Sequence, residues 1–159
     1  MEVKPYVQTY TIIIGSKACN AQCPYCVSRM TPTAGVGMKP QDINWRNFYK
    51  GADLANQWGA TTVLITGKGE PTLFPHQITE CLINLEKCHF PLIELQTNGI
   101  KLAQDNYDDY LREWYKLGLT TIAISITHYE SDKNAEIIKP YLESERVNLP
   151  NLISKLHKI

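Results

Sequence analysis

Four strand-like segments, each followed by a helical pattern or the start of one, constrain this chain more than any other feature of its sequence. They are Thr9–Ile14, Thr61–Thr66, Leu92–Thr97 and Thr120–Ile126, all rich in β-branched and apolar residues. Between the first two, Trp45, Phe48, Ala52 and Ala55 recur at helical spacing, and Gly59 is a natural stop. After the second, Ile78, Cys81, Leu82 and Leu85 share one face. After the third, Tyr107, Tyr110, Leu111, Trp114 and Leu117 do the same, and Gly118 closes the helix. After the fourth comes an irregular stretch, then Leu149, Leu152, Ile153 and Leu156 on a helix running to the chain end. Strand, helix, strand at a spacing of roughly 30 residues is the βαβ pattern, which implies parallel pairing and right-handed crossovers. The predicted fold class is therefore α/β: four parallel βα units forming a partial, incomplete barrel. In such sheets chemistry collects beyond the carboxyl ends of the strands. Gly15–Cys26 follows the first strand, Gly67–Thr72 the second, Asn98–Gly99 the third and His128 the fourth. Val27–Gln41, with Pro32, Gly35, Gly37 and Pro40, reads as a loop over that face.

The length of 159 residues fits one domain spanning 1–159. Lys plus Arg and Asp plus Glu number 16 each, so the balance gives no footprint for nucleic acid or an anionic membrane. No apolar run approaches the ~18 residues of a spanning helix, and Met1–Tyr6 lacks the apolar core of a signal peptide. A cytoplasmic, reducing location is the expectation. Five cysteines, three of them crowded together, suit metal binding there better than a disulfide framework.

Those three lie in Cys19-Asn20-Ala21-Gln22-Cys23-Pro24-Tyr25-Cys26. Thiolates are the soft ligands selected by zinc and by iron–sulfur clusters. Structural zinc usually wants four ligands, and no second cysteine pair stands at finger-like spacing. Cys81 and Cys88 lie on a helix face, where a buried apolar cysteine is ordinary. Cys23-Pro24-Tyr25-Cys26 alone matches the glutaredoxin tetrapeptide, so a thiol–disulfide carrier is a further reading, though it leaves Cys19 unused. A ferredoxin-like carrier needs a fourth nearby cysteine, and none occurs before Cys81. Three cysteines on a four-iron cube leave one iron open to a substrate or cofactor.

Thr66-Gly67-Lys68-Gly69-Glu70-Pro71-Thr72 ends the second strand. Its glycines permit close backbone approach to a ligand, and Glu70 is a carboxylate suited to an ammonium. The plain alternative is a strand-to-helix turn closed by Pro71. A phosphate loop is disfavoured, because no Gly-Lys-Ser/Thr follows and Glu70 would repel an anion. Asn98-Gly99 reads first as tight-turn chemistry. On the fourth strand Ile122, Ile124 and Ile126 alternate with Ala123, Ser125 and Thr127, opposing an apolar face to a hydroxyl-bearing one. His128 reads as either a pocket residue or an exposed turn histidine.

C-x-x-x-C-x-x-C directly after a first strand resembles the cluster motif of the radical S-adenosylmethionine (SAM) superfamily. Asn20 and Tyr25 match residues frequent in that motif, and Gly67–Glu70 resembles the family's Gly-Gly-Glu segment, with Lys68 in place of a glycine. The resemblance implies a 4Fe–4S cluster on Cys19, Cys23 and Cys26, with SAM on the open iron. It also implies reductive cleavage to methionine and a 5′-deoxyadenosyl radical that takes hydrogen from a substrate. By the same resemblance Tyr25 lies near the adenine, Gly67, Lys68, Gly69 and Glu70 hold the methionine part, Asn98 sits at the rim and Ser125 meets the ribose. An electron donor such as flavodoxin or ferredoxin is implied. The alternative is a module that binds cluster and SAM without turnover. The family core has six βα units and this sequence supplies four, so self-association or a partner chain supplying strands is a further expectation.

Overall fold

The computed structural model describes residues 6–32 and 35–159. Four parallel strands form one open sheet in the order β1-β2-β3-β4. These are β1 (Thr9–Ile14), β2 (Thr62–Gly67), β3 (Leu92–Thr97) and β4 (Thr121–Ile124). The register pairs Ile12 with Ile65, Ile65 with Leu95 and Leu95 with Ile122, so one apolar layer crosses the sheet. Ile12, Ile14, Val63, Ile65, Ile93 and Leu95 from that face are buried beneath the helices. The opposite face carries Thr11, Thr66, Glu94 and Gln96, and Ile13 there is 65% exposed. That alternation is the inside and outside of a barrel wall, here left open between β1 and β4.

The main helices form as their residues dictate. α2 (Trp45–Gln57) starts where the Asn44 side chain accepts from the Asn47 N–H at 3.0 Å, and it buries Phe48, Ala52 and Ala55. α3 (Pro75–Leu85) begins on a proline, which lacks the N–H a first helical turn would leave unpaired, and buries Ile78, Cys81, Leu82 and Leu85. α4 (Asp108–Lys116) has Asp108 and Asp109 in its first turn and Lys116 in its last, matching the helix dipole. α6 (Leu149–Leu156) is capped by Asn148 and stops short of the chain end.

Two helices depart from the sequence reading. The stretch expected to be a loop holds the short α1 (Val27–Met30), and α5 (Ser131–Ile138) fills what was read as irregular chain after β4. α5 escapes periodicity analysis because a polar residue, Asn134, sits on its buried side with Ala135 and Ile138. It also ends on a left-handed residue, Lys139 (φ 55°), rather than on the glycine that usually marks such a stop. Asn134 holds the end of β4: its Oδ1 accepts from the N–H of Thr127 at 2.9 Å, the Thr127 hydroxyl at 3.0 Å and the His128 N–H at 3.3 Å. β4 is shorter than Thr120–Ile126, its pairing ending where Thr97, the last residue of β3, meets Ile124. Among the described residues, no helix is long and apolar enough to cross a membrane.

Candidate functional site

The loops after β1, β2 and β3 are clasped together by their main chains. Gly69 N–H donates to the Ser16 carbonyl and Glu70 N–H to the Ala18 carbonyl, both at 2.9 Å. This approach requires glycine at 69, where a Cβ would collide with the Ala18 carbonyl. Gly69→Ala is therefore expected to destabilise the chain by about 3 kcal/mol, as overpacking against backbone does. Urea denaturation checks it; an unchanged midpoint would show that the two loops part without cost.

Glu70 closes the clasp. It is 4% exposed. Its Oε1 accepts from the Thr72 N–H at 3.0 Å and from the hydroxyls of Thr72 and Thr97, each at 2.6 Å. Its Oε2 accepts from the Asn98 N–H at 2.9 Å. The carboxylate thus turns inward and ties the β2 and β3 loops, and its charge is met by four donors. Asn98 extends the tie: its Nδ2 donates to Asn20 Oδ1 at 2.8 Å and lies 3.9 Å from Cys19 Sγ.

The cysteine loop is held from its other side by the chain that follows α5. Gln22 N–H donates to the carbonyls of Ile138 and Lys139, and Tyr141 N–H to that of Asn20. Ala21 and Pro140 form an antiparallel bridge. The Cys23 thiol donates to the Ile138 carbonyl at 3.4 Å. This strap was not legible in the sequence, because α5 itself was not.

Cys19, Cys23 and Cys26 are half-buried, free thiols lining one cleft of about 460 Å³ together with Lys17, Arg29 and Lys68. Burial, more than the acidic neighbours Glu70, Cys23 and Cys26, pushes the Cys19 thiol above its usual range. Cys81 and Cys88 are buried in the core instead, and burial pushes the Cys81 thiol up to about 12. Neither lines the cleft.

Of the other expected site residues, Lys68 and Gly69 line this cleft, and Tyr25, Gly67, Glu70, Asn98 and Ser125 do not. Tyr25 is 43% exposed, and partial burial and the adjoining Cys23 push its phenol upward. Ser125 is exposed past β4, its N–H held by the Thr97 carbonyl at 2.9 Å. His128 stacks on Tyr129, and its Nδ1 accepts from the Glu130 N–H, as a turn histidine does. Lys17 and Arg29 were missed by motif reading. Their signal was available: from Val3 to Gln41 there is no Asp or Glu, while Lys4, Lys17, Arg29 and Lys39 fall within it. A larger cleft, about 550 Å³, lies between α4 and α6. None of the three clustered cysteines lines it, and its charges are largely paired, as Lys155 with Asp108 and Glu145 with Lys101.

The donor set fits a cluster. Among the described residues no three His, Cys, Asp or Glu gather closely enough to hold a single metal ion. A cluster instead spreads its thiolates over separate irons. Beside Cys19, the Asn20 Nδ2 is buried without a partner, a donor available to the sulfurs of such a cluster.

A family profile described as the radical SAM superfamily matches residues 13–157. The chain is 29% identical over 122 residues to a 7-carboxy-7-deazaguanine synthase of Hyperthermus butylicus, covering 77% of this chain and 48% of that protein. It is 28% identical over 114 residues to a probable GTP 3′,8-cyclase of Thermoplasma volcanium, covering 72% of this chain and 31% of that one. The chain thus spans about half and about a third of the lengths of these relatives.

Proposed function

We propose, since the chain belongs to the radical SAM superfamily, that it holds a 4Fe–4S cluster on Cys19, Cys23 and Cys26 and with it cleaves SAM reductively. Members of that superfamily bind both groups. The observation that carries the reading is the meeting of the three thiols with the Gly67–Glu70 loop, clasped at the carboxyl ends of β1 and β2. When bound and reduced by a carrier such as flavodoxin or ferredoxin, the cluster supplies the electron that splits SAM into methionine and a 5′-deoxyadenosyl radical.

The chain's own residues do the rest. Three thiolates leave one iron open for the SAM amino and carboxylate groups. The carbonyl oxygens of Gly67, Lys68 and Gly69 would accept from the amino group, since the Glu70 carboxylate is committed to Thr72, Thr97 and Asn98. Glu70 acts by fixing those carbonyls in place. Asn98 donates toward Cys19 Sγ, a contact that tunes a cluster's potential. Tyr25 would face the adenine, and Ser125 would meet the ribose.

The test is anaerobic. In the iron-loaded, reduced protein, saturating SAM should shift the cluster's EPR signal, and 5′-deoxyadenosine and methionine should form together. An EPR spectrum indifferent to SAM would sink the proposal. The alternative reading is a cluster-and-SAM-binding unit without turnover. A shifted spectrum with no 5′-deoxyadenosine would select it.

A further inference from the structure

Lys68 is the position at which the chain departs from the superfamily's glycine, and its side chain is unexplained by SAM binding through the main chain. Its Nζ donates to the Thr31 hydroxyl at 2.6 Å, which uses one of three available donors. It shares the thiol cleft with Lys17 and Arg29, and the hydroxyls of Ser28 and Thr31 line the same wall. Among the described residues, no Asp or Glu lines that cleft and none of the three cations makes an ion pair. The one carboxylate close in sequence, Glu70, is turned inward and consumed by four donors, so it does not oppose an anion in the cleft.

The thiolates are not the intended counter-charge. With four irons and four sulfides on them they form a cluster of net charge about −1, or about −2 when reduced, which leaves at least one of the three cations unbalanced. A single carboxylate, itself drawn to iron, does not use three cations. In a chain of zero formal net charge, such a one-sided wall is a local arrangement and not a consequence of composition.

Resting on the function proposed above, we infer that Lys17, Arg29 and Lys68 bind a polyanionic group beside the cluster, the phosphate chain of a phosphorylated substrate. Arg29 supplies a planar fork suited to paired phosphate oxygens, and the two lysines supply mobile point charges. Ser28 adds a neutral hydroxyl, while the Thr31 hydroxyl, which donates to the Val27 carbonyl at 2.9 Å, holds Lys68 in place.

Tripolyphosphate and SAM are the probes, titrated calorimetrically into the iron-loaded protein without oxygen and at constant ionic strength. Tripolyphosphate is expected to bind, and to weaken about tenfold in Lys68→Gln and in Arg29→Gln, the loss of one charge-assisted contact. SAM affinity in Arg29→Gln is expected to stay within about twofold, and Lys87→Gln, an exposed lysine away from the cleft, to leave both ligands unaffected. All substituted side chains lie at or near the surface, so folding is retained. Failure of tripolyphosphate to bind, or indifference to both substitutions, overturns the inference. So does a loss of SAM affinity in Arg29→Gln equal to that of tripolyphosphate, which would assign the cations to the SAM carboxylate. Iron is measured on the same samples. If no iron is taken up, the proposed function fails, and the titration of the metal-free chain decides the anion site by the same criteria.

Discussion

Replacing Glu70 with alanine is expected to lower the unfolding free energy by about 4 kcal/mol and the melting temperature by about 10–15 °C. The hydroxyls of Thr72 and Thr97 can turn to other acceptors. The main-chain N–H groups of Thr72 and Asn98 cannot, and each unpaired buried donor costs about 1–3 kcal/mol. Glu70→Gln separates charge from shape. Its oxygen can keep the three donors now on Oε1, but its NH₂ then faces the Asn98 N–H, so about half the loss should remain. Urea denaturation of the three proteins, metal-free, measures this without involving the cluster. If Glu70→Ala unfolds at the parent's urea midpoint, the carboxylate is not what ties β2 to β3, and its role lies with the ligand alone.

The cysteines are expected to divide into two classes with opposite phenotypes. Reconstituted without oxygen, the parent should carry about four irons per chain, as a three-thiolate cubane site does. Cys19→Ala, Cys23→Ala or Cys26→Ala should each abolish that iron and lower the metal-free unfolding midpoint only slightly, because these half-buried side chains line a cleft and only Cys19 and Cys23 pack against the edge of the core. Cys81→Ala and Cys88→Ala should keep the iron and lose about 1 kcal/mol of stability, since a buried sulfur leaves a small void. Iron and sulfide analysis beside urea denaturation reads both columns. Loss of iron in Cys81→Ala or Cys88→Ala as complete as in the cleft variants would overturn the ligand assignment.

The strands, the main helices and the cysteine motif were legible because each is written locally. A β-branched run such as Thr9–Ile14 prefers extended backbone wherever it lies, and Ile78, Cys81, Leu82 and Leu85 mark a buried face by spacing alone. Cys19, Cys23 and Cys26 fall within eight residues, so no fold is needed to bring them near one another. The parallel order followed from strand and helix alternation, since a crossover helix leaves little choice of direction.

Tertiary structure decided what those local pieces face. Whether Glu70 points to a ligand or to its own protein depends on Thr97 and Asn98, which lie 27 and 28 residues away and arrive beside it only when β2 and β3 pair. The strap that holds the cysteine loop comes from Ile138–Tyr141, more than a hundred residues along the chain. Its helix, α5, buries an asparagine and ends on a lysine, so neither an apolar stripe nor a glycine announced it. Lys17, Arg29 and Lys68 are scattered among uncharged residues, and only the stacking of the loops after β1 and β2 sets them round one cleft. Periodicity reports on neighbours along one element, whereas charge and hydrogen bonding act through space between elements that the chain brings together late.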